Sequence, residues 1–158
     1  MTTEIMAADA ATYSSNEVQL VAFKLGREEY GIDILQVQEI KRMTDITRVP
    51  HTPEYIKGVI NLRGSVLPVI DLKTRLDLLE QDYTDDTRII IVKVDEIAVG
   101  MIVDAVSEVM AIDQEQIEVS QEAVGGVSTN YISGVGKLEN RLMILLNLEA
   151  IIGINQDM

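Results

Sequence analysis

The sequence has no cysteine and no tryptophan among its 158 residues, and its only histidine is His51. Without cysteine, disulfides, thiolate chemistry and cysteine-ligated metals are all excluded. A zinc site would then need several carboxylates at unusual spacing. His51 lies between prolines in VPHTP, which makes it a weak candidate for a general base. The sequence therefore predicts no catalytic residue, no metal ligand and no cofactor.

Aromatic and basic residues are also scarce. The six aromatics are five tyrosines and one phenylalanine, and 26 acidic against 13 basic residues give a net charge of −13. Such a charge repels polyanions, and so few aromatics cannot form a base-stacking platform. The longest uncharged apolar run, residues 97–103, is far shorter than the ~20 residues of a membrane span. We expect no nucleic-acid partner, no direct membrane insertion and a soluble, intracellular protein.

The first part of the chain predicts a tail, a hairpin and a short helix. Residues 1–16 have no periodic apolar face and are predicted to be a flexible tail. Val18 to Leu25 and Glu28 to Asp33 have the composition of two hairpin strands. A helix is then predicted from a weak capping box, Asp33 with Gln36, and from the apolar spacing of Ile34, Val37 and Ile40.

Four more strands are predicted downstream. VINL and SVLPVIDL should be joined by a turn at Arg63 and Gly64, and Asp71 should then cap a short helix, Leu72 to Leu79. The acidic segment QDYTDDT follows as a polar break. RIIIVKV and IAVGMIV predict a second hairpin whose strands are buried on both faces.

The second half of the sequence resembles the first. At an offset of 69 the recurring residues are Lys24/Lys93, Gly31/Gly100, Val37/Val106 and Glu39/Glu108. At an offset of 76 they include Tyr55/Tyr131, Gly58/Gly134, Val59/Val135 and Leu72/Leu148. Gly64 aligns with Asn140, and both residue types tolerate a left-handed turn.

This repeat predicts one domain over 17–152, with halves of about 17–81 and 87–152 and a C-terminal tail at 153–158. A unit of about 60 residues is marginal alone, so the two copies should share apolar surface. Small, mostly antiparallel units of about five strands are typical of SH3 and OB barrels, and the residue pattern does not choose between them.

Three segments carry a family resemblance: YGIDILQVQEI, TRVPHTPEYIKGVINLRGSVLPVIDLK and YISGVGKLENRLMILLNLEAII. From about Val18 to Ile152 the chain resembles the CheW-like family of bacterial chemotaxis coupling proteins. The resemblance implies a mostly β fold of two intertwined five-stranded SH3-like barrels with a shared core and short helices. CheW-like sequences also occur within the kinase CheA and joined to receiver domains. This sequence has no phosphotransfer, ATP-binding or receiver segment, so it is similar to the stand-alone coupler.

The resemblance also implies partners and contact residues. The cytoplasmic tip of a methyl-accepting chemotaxis receptor would lie in a groove between the barrels, with Val37, Glu39 and Arg63 implicated in coupling. The CheW-like regulatory domain of CheA would bind elsewhere, and Glu122 and Ala123 are our candidates for that contact. A coupler of this kind is cytoplasmic and is recruited to membrane-associated receptor arrays.

Other interpretations of these residues stay open at this point. Arg63 could be only a solvated turn residue, and Glu39 a helix-surface charge or an intramolecular partner of Arg63. The glycines at structural turns are expected to satisfy backbone geometry and not to contact a partner; they are Gly58, Gly64, Gly100 and Gly134. Asn140 is expected in the turn equivalent to that of Gly64. The alternative functions are a small-ligand or oligonucleotide-binding β-barrel, or a carboxylate-dependent hydrolase.

Overall fold

The computed structural model describes residues 16–119 and 123–153. Both predicted tails, 1–16 and 153–158, lie outside the described residues except for Asn16 and Gly153. Their flexibility therefore stays a prediction.

Strands account for most of the described residues, which confirms the mostly β prediction. They are β1 Glu17–Leu25, β2 Glu28–Asp33, β3 Val37–Arg42, β4 Ile56–Leu62, β5 Ser65–Asp71, β6 Arg88–Val94, β7 Ile97–Val103, β8 Ala105–Asp113, β9 Ile117–Glu118, β10 Ile132–Leu138 and β11 Arg141–Leu146. The α-helices in the same part of the chain are α1 Leu72–Arg75 and α2 Leu148–Ile152. Short 3-10 helices lie at Ile34–Gln36, Gln114–Gln116 and Thr129–Tyr131.

The described strands form two sheets, ordered β8-β1-β2-β11-β10-β9 and β3-β6-β7-β5-β4. Each sheet is antiparallel except for one parallel pair, β2 with β11 in the first and β5 with β7 in the second. The chain enters the second sheet through Ile34–Gln36 and leaves it at Asp104. One barrel is therefore built from the uninterrupted segment 37–103, and we call it the continuous barrel. The other, the split barrel, takes its strands from both sides of that segment.

Each half of the repeat gives its first hairpin to the barrel of the other half. The β1–β2 hairpin pairs with β8 and β11 of the second half, and the β6–β7 hairpin lies between β3 and β5 of the first. This exchange is the physical basis of the intertwined architecture, because neither sheet is complete with strands from one half.

Both barrels close in the same way, at a glycine. Beyond β3 the chain turns back so that Thr47 pairs with Val59 of β4, and beyond β8 the short strand β9 pairs with Val135 of β10. A Cβ at Gly58 would lie 2.1 Å from the Thr47 carbonyl oxygen, and one at Gly134 would lie 3.1 Å from that of Glu118. The Gly-Val dipeptide recurs at an offset of 76 because each barrel is closed by the same kind of strand pairing at that dipeptide.

The largest hydrophobic cluster lies between the barrels and draws on both halves. It comprises Val21, Phe23, Leu25, Tyr30, Ile32, Ile70, Leu72, Leu76, Ile90, Val92, Val94, Val99, Met101, Val103, Val127, Ile132, Ile144, Leu146, Leu148 and Ile151. Smaller clusters fill the two barrel interiors. On β6, Ile90 and Val92 face this shared core while Ile89 and Ile91 face the barrel interior, all of them fully buried. Burial on both faces of β6, predicted from its apolar run, is confirmed.

A buried ion pair ties α1 to the point where the chain leaves the continuous barrel. The Lys73 side chain is only 5% exposed, and its Nζ lies 2.8 Å from Oδ1 of Asp104. The other oxygen of Asp104 accepts a hydrogen bond from the Gly26 N–H at 2.7 Å, in the β1–β2 turn of the split barrel. Removing one partner of such a pair would leave a buried charge uncompensated.

The predicted hairpins are confirmed, whereas two helix predictions need correction. The short helix predicted from Ile34, with Lys41 and Arg42 in its last turn, is wrong: a 3-10 turn ends at Gln36, and β3 follows, paired with β6. Asp71 does cap α1 by accepting from the N–H groups of Lys73 and Thr74, but the helix ends at Arg75 instead of Leu79.

Among the residues that the structure describes, no helix has the length and apolarity that crossing a membrane requires.

Candidate functional site

Arg63 stands at the tip of the two-residue turn between β4 and β5. The turn joins Leu62 to Ser65, and both of its residues have positive φ angles, 51° at Arg63 and 87° at Gly64. Two successive positive angles are typical of the type I′ hairpin turn, and glycine meets that demand without strain. The Asn61 side chain accepts the Gly64 N–H at 3.0 Å and so supports the turn. Arg63 is the turn residue that adopts a positive φ without being glycine, and its side chain is 75% exposed.

The structure pairs Arg63 with Glu39. Nη1 of Arg63 lies 2.8 Å from Oε1 of Glu39, whose side chain is 28% exposed. Of the interpretations left open for Glu39, the intramolecular pair is the one observed, and the residue lies on strand β3, not on a helix. A surface pair of this kind contributes only about 0–1 kcal/mol to stability. The guanidinium keeps further donors free for a partner, because it carries five N–H groups.

Val37 begins the same strand but has different surroundings. It is half-buried and packs against the shared core, and the β3–β6 register shifts between Val37 and Glu39. A shift of this kind re-aims the side chains that follow it. The structure therefore brings Glu39 and Arg63 into direct contact and places Val37 on the same strand, at the margin of the shared core.

Exposed apolar side chains flank the Glu39–Arg63 pair in sequence. Ile40 follows Glu39 on β3 and is 39% exposed, and Val66 follows the turn on β5 and is 64% exposed. Successive side chains of a strand point to opposite faces, so Ile40 lies on the other face of β3 from Glu39.

The split barrel carries a counterpart that sequence reasoning missed. Arg141 lies at the start of β11, and its Nη2 is 2.9 Å from Oε2 of Glu108, the residue equivalent to Glu39. Arg141 also binds Glu29 through two hydrogen bonds of 2.9 and 2.7 Å. These bonds, first of all the one to Glu29, raise the pKa of the Arg141 guanidinium. The sequence repeat indicated Glu108 as the equivalent of Glu39. It did not indicate Arg141, because the position equivalent to Arg63 is Glu139.

Exposed apolar residues recur there as well. Val109 and Leu142 are 56% and 47% exposed, and they occupy the positions equivalent to Ile40 and Val66 at the two repeat offsets. Both barrels thus carry a carboxylate–arginine pair and, next to its residues in sequence, exposed aliphatic side chains.

Only one of the two kinase-contact candidates can be placed. Glu122 lies outside the described residues, and Ala123 is exposed on the split-barrel part of the chain. Ala123 precedes a tight turn in which Val124 and Val127 exchange backbone hydrogen bonds of 3.0 and 3.3 Å. Val127 is fully buried in the shared core, which anchors the turn beside Ala123.

The remaining glycine and asparagine candidates differ in their geometry. Gly100 lies on β7, where a Cβ would come within 2.9 Å of the Ile89 side chain. Asn140 occupies the β10–β11 turn, but unlike Gly64 it is not among the described residues with a positive φ. Gly64 and Asn140 therefore lie in equivalent turns, but only Gly64 adopts the left-handed backbone conformation.

His51 lies in the exposed loop between β3 and β4, with a φ of 64°. This loop lines a cleft of about 690 Å³ together with the start of β4. Within the part of the chain that the structure describes, no hydrogen bond or ion pair orients His51, and no group of three or more metal-ligating side chains is present.

With this geometry in place, the chain can be compared with known proteins. Residues 19–155 match the model of the CheW-like domain. The chain belongs to the CheW-like domain family, as its sequence motifs predicted. It is 40% identical over 134 residues to the chemotaxis protein CheW of Klebsiella aerogenes, covering 85% of this chain and 81% of that protein. It is 41% identical to the chemotaxis protein CheW of Bacillus subtilis, over 85% of this chain and 86% of the relative.

A solved structure resembles this fold closely. The crystal structure of the scaffolding protein TtCheW from Thermoanaerobacter tengcongensis aligns with a TM-score of 0.82 at 39% identity. The alignment covers 87% of this chain and 94% of that one. The likeness confirms the fold class, two SH3-like barrels that share a hydrophobic core.

Proposed function

We propose that this chain is a non-catalytic adaptor that couples methyl-accepting chemotaxis receptors to the histidine kinase CheA, so that receptors control kinase activity. Family membership supports this, as do relatives that bear the name chemotaxis protein CheW and a solved relative described as a scaffolding protein. In this function the chain is cytoplasmic and reaches membrane-associated arrays by binding receptors.

The observation that carries the proposal is the Glu39–Arg63 pair. Arg63 is held by a tight turn and a carboxylate 2.8 Å away, yet three quarters of its side chain faces solvent. Such a side chain is oriented before binding, which lowers the entropy lost when a partner immobilises it. We assign Arg63 to direct receptor contact, Glu39 to orienting it, and Val37 to the adjoining apolar margin.

The kinase contact is assigned to a different surface. Ala123 lies in the split-barrel part of the chain, whereas Glu39 and Arg63 belong to the continuous barrel. We propose that Glu122 and Ala123 contact the CheW-like regulatory domain of CheA. Separate surfaces let one adaptor hold both partners at once.

Co-sedimentation tests the function as a whole. Receptor-containing membranes are mixed with this chain, with and without CheA, and kinase activity is measured in parallel. We expect the chain to sediment with receptors and to make kinase activity receptor-dependent. A chain that binds neither partner, but whose melting temperature rises with nucleotides or oligonucleotides, would instead support the ligand-binding barrel.

Three variants separate contact from orientation at Arg63. Arg63→Ala should stay folded, within about 0.5 kcal/mol of the parent, because an exposed turn charge contributes little stability. Its receptor affinity should fall about thirtyfold, the loss expected for a desolvated arginine anchor worth about 2 kcal/mol. Glu39→Ala should weaken binding less. The charge swap Glu39→Arg with Arg63→Glu restores the pair but removes the arginine from the turn, so binding should stay weak.

Kinase affinity and circular dichroism are the controls for these variants, and both should be unchanged. Normal receptor binding by Arg63→Ala would reduce the residue to a solvated turn charge. Full recovery in the charge swap would show that only the ion pair matters.

A further inference from the structure

Two arginines lie directly opposite each other where β3 ends and β6 begins. In the antiparallel register, Arg42 of β3 faces Arg88 of β6. Side chains at directly opposed positions lie on the same face of the sheet, and like charges there destabilise the pairing. The fold therefore carries an electrostatic cost at this point.

Neither arginine forms an ion pair within the described residues that would offset that cost. Arg88 directs its Nη1 to the backbone carbonyls of Asp85 and Thr87, at 2.8 and 2.9 Å, and not to the acidic side chains nearby. Within residues 16–119 and 123–153, neither Arg42 nor Arg88 forms an ion pair, whereas Lys73, Arg63 and Arg141 each do. In a chain with 26 acidic and 13 basic residues, two adjacent arginines without a carboxylate partner are unexpected.

The segment around Arg42 also departs from the charge of the rest of the protein. Residues 40–70 hold five basic residues and two acidic ones, Asp45 and Glu54, so their net charge is +3 while that of the whole chain is −13. Salt screens charges over about 8–10 Å, so a group docked on Arg42 and Arg88 senses these two guanidinium groups, together with Asp85 and Asp86 before Arg88, more than the distant carboxylates of the chain.

An apolar side chain completes the surface. Ile40 lies two residues before Arg42, on the same face of β3, and is 39% exposed. It is paired with Ile90, which is fully buried in the shared core. The two arginines therefore continue the edge of the shared core into solvent, where β3 pairs with β6 alone among the described strands.

We propose that Ile40, Arg42 and Arg88 form a docking surface for an acidic segment of a partner protein. The guanidinium groups would bind Asp or Glu side chains, and Ile40 would contact an aliphatic residue beside them. Nucleic acid and anionic lipid are poorer occupants because their extended charge meets the field of the whole acidic chain. A second copy of this chain is also disfavoured, since each copy carries a charge of −13. The inference rests on the proposed function only for the identity of the partner.

The proposal makes opposite predictions for stability and for binding. Arg42→Gln removes the repulsion, so the melting temperature should stay the same or rise. Affinity for the partner should fall about tenfold at low salt, because a charge pair at an interface is lost. Arg42→Lys should keep most of the affinity. The matched control is Lys24→Gln, an exposed lysine of β1 in the split barrel with no ion pair among the described residues, which lowers the net charge equally.

Binding is measured by calorimetry at several salt concentrations, against a receptor cytoplasmic fragment, the CheW-like domain of CheA, and a short peptide of alternating Glu and Ile. We expect one of the two proteins to lose affinity and salt dependence with Arg42→Gln, and more with Arg42→Gln combined with Arg88→Gln. Unchanged binding to all three probes, or an equal loss with Lys24→Gln, would overturn the proposal. So would Arg42-dependent self-association in sedimentation. If the parent binds neither protein but binds the peptide through Arg42, the docking surface stands and the proposed coupling function fails.

Discussion

The guanidinium carbon of Arg75 lies 4.4 Å from the centre of the Tyr55 ring. It lies 5.0 Å from the ring of Tyr131, the residue equivalent to Tyr55 in the second half. The same guanidinium donates to the carbonyls of Ile151 and Ala150 at 2.8 and 3.3 Å, at the end of α2. One arginine of the first half therefore satisfies carbonyls of the second-half helix while it contacts a tyrosine from each half.

Replacing Arg75 should loosen the joint between the halves. Arg75→Ala loses two cation–π contacts and two hydrogen bonds, so we expect a loss of about 2–3 kcal/mol in the free energy of unfolding. Arg75→Lys keeps the charge but loses the planar guanidinium, so its free energy of unfolding should lie between those of the parent and Arg75→Ala. Urea denaturation measures both. The control Arg27→Ala removes an exposed arginine of the β1–β2 turn, and an equal effect of the two alanine variants would show that Arg75 has no special role.

Tyr30→Phe should not destabilise the protein. The Tyr30 side chain is fully buried, and its hydroxyl has no hydrogen-bond partner among the described residues. Removing an unsatisfied buried hydroxyl is neutral or stabilising. Phenylalanine also keeps the stacked contact with Phe23, whose ring centre lies 5.9 Å away. A loss of more than about 1 kcal/mol in urea denaturation would show that the hydroxyl is satisfied, for instance by a buried water.

The same tyrosine makes stability depend on alkaline pH. Burial, with a smaller effect of Glu28, raises the pKa of Tyr30 to about 12. An unfolded tyrosine ionises near pH ~10, so between those values the folded state retains a proton that the unfolded state loses. Stability should therefore be constant with respect to this group below pH ~10 and fall as pH rises toward 12. In Tyr30→Phe the decrease in the free energy of unfolding between pH ~10 and 12 should be smaller. Equal pH dependence of the two proteins, measured by urea denaturation, would contradict the assignment to Tyr30.

Gly58→Ala should be the most damaging of the small substitutions. Its φ is +149°, and the added Cβ would lie 2.1 Å from the Thr47 carbonyl oxygen, so the strand that closes the continuous barrel must move. We expect a loss of about 3 kcal/mol or more, from backbone strain and broken pairing. Gly64→Ala is the matched control, because a Cβ there meets nothing within 4 Å and only the positive φ is strained. Thermal denaturation of the two variants should differ clearly, and similar melting temperatures would contradict the closing role of Gly58.

The halves of the repeat should not fold separately. A fragment of residues 1–80 contains β3, β4 and β5 but lacks β6 and β7, which lie between β3 and β5 in the sheet. It also lacks the second-half side chains of the shared core. We expect an unfolded or aggregated product by circular dichroism and sedimentation. A soluble monomer of 1–80 with cooperative unfolding would contradict the exchange of hairpins as a condition for stability.

Local signals in the sequence were sufficient for the hairpins. Strands joined by two-residue turns, such as those at Arg63–Gly64 and Asp95–Glu96, depend on neighbours in sequence and on apolar runs. The repeat offsets also indicated two similar units. What they could not indicate was the exchange of hairpins between units, because two copies side by side and two intertwined copies have the same internal periodicity.

The helix predicted from Ile34 to the turn that holds Lys41 and Arg42 was wrong because local signals do not reveal strand pairing between distant segments. Asp33 caps a turn there, as a helix start would require, and the apolar spacing continues into β3. The pairing of β3 with β6 decides the outcome, and β6 lies about one half-domain further along the chain. The sequence left an intramolecular pair between Arg63 and Glu39 as one alternative, and the pair forms because β3 and the β4–β5 turn belong to one closed barrel.

The insertion of the continuous barrel within the split one sets an order of assembly during synthesis. The ribosome produces the β1–β2 hairpin first, then all five strands of the segment 37–103, and only afterwards β8, β10 and β11. The early hairpin must wait with both outer edges unpaired and its apolar face uncovered until β8 and β11 emerge, a period in which edge strands are open to wrong partners. The inserted barrel, whose strands are already complete, provides the first surface on which that hairpin can rest.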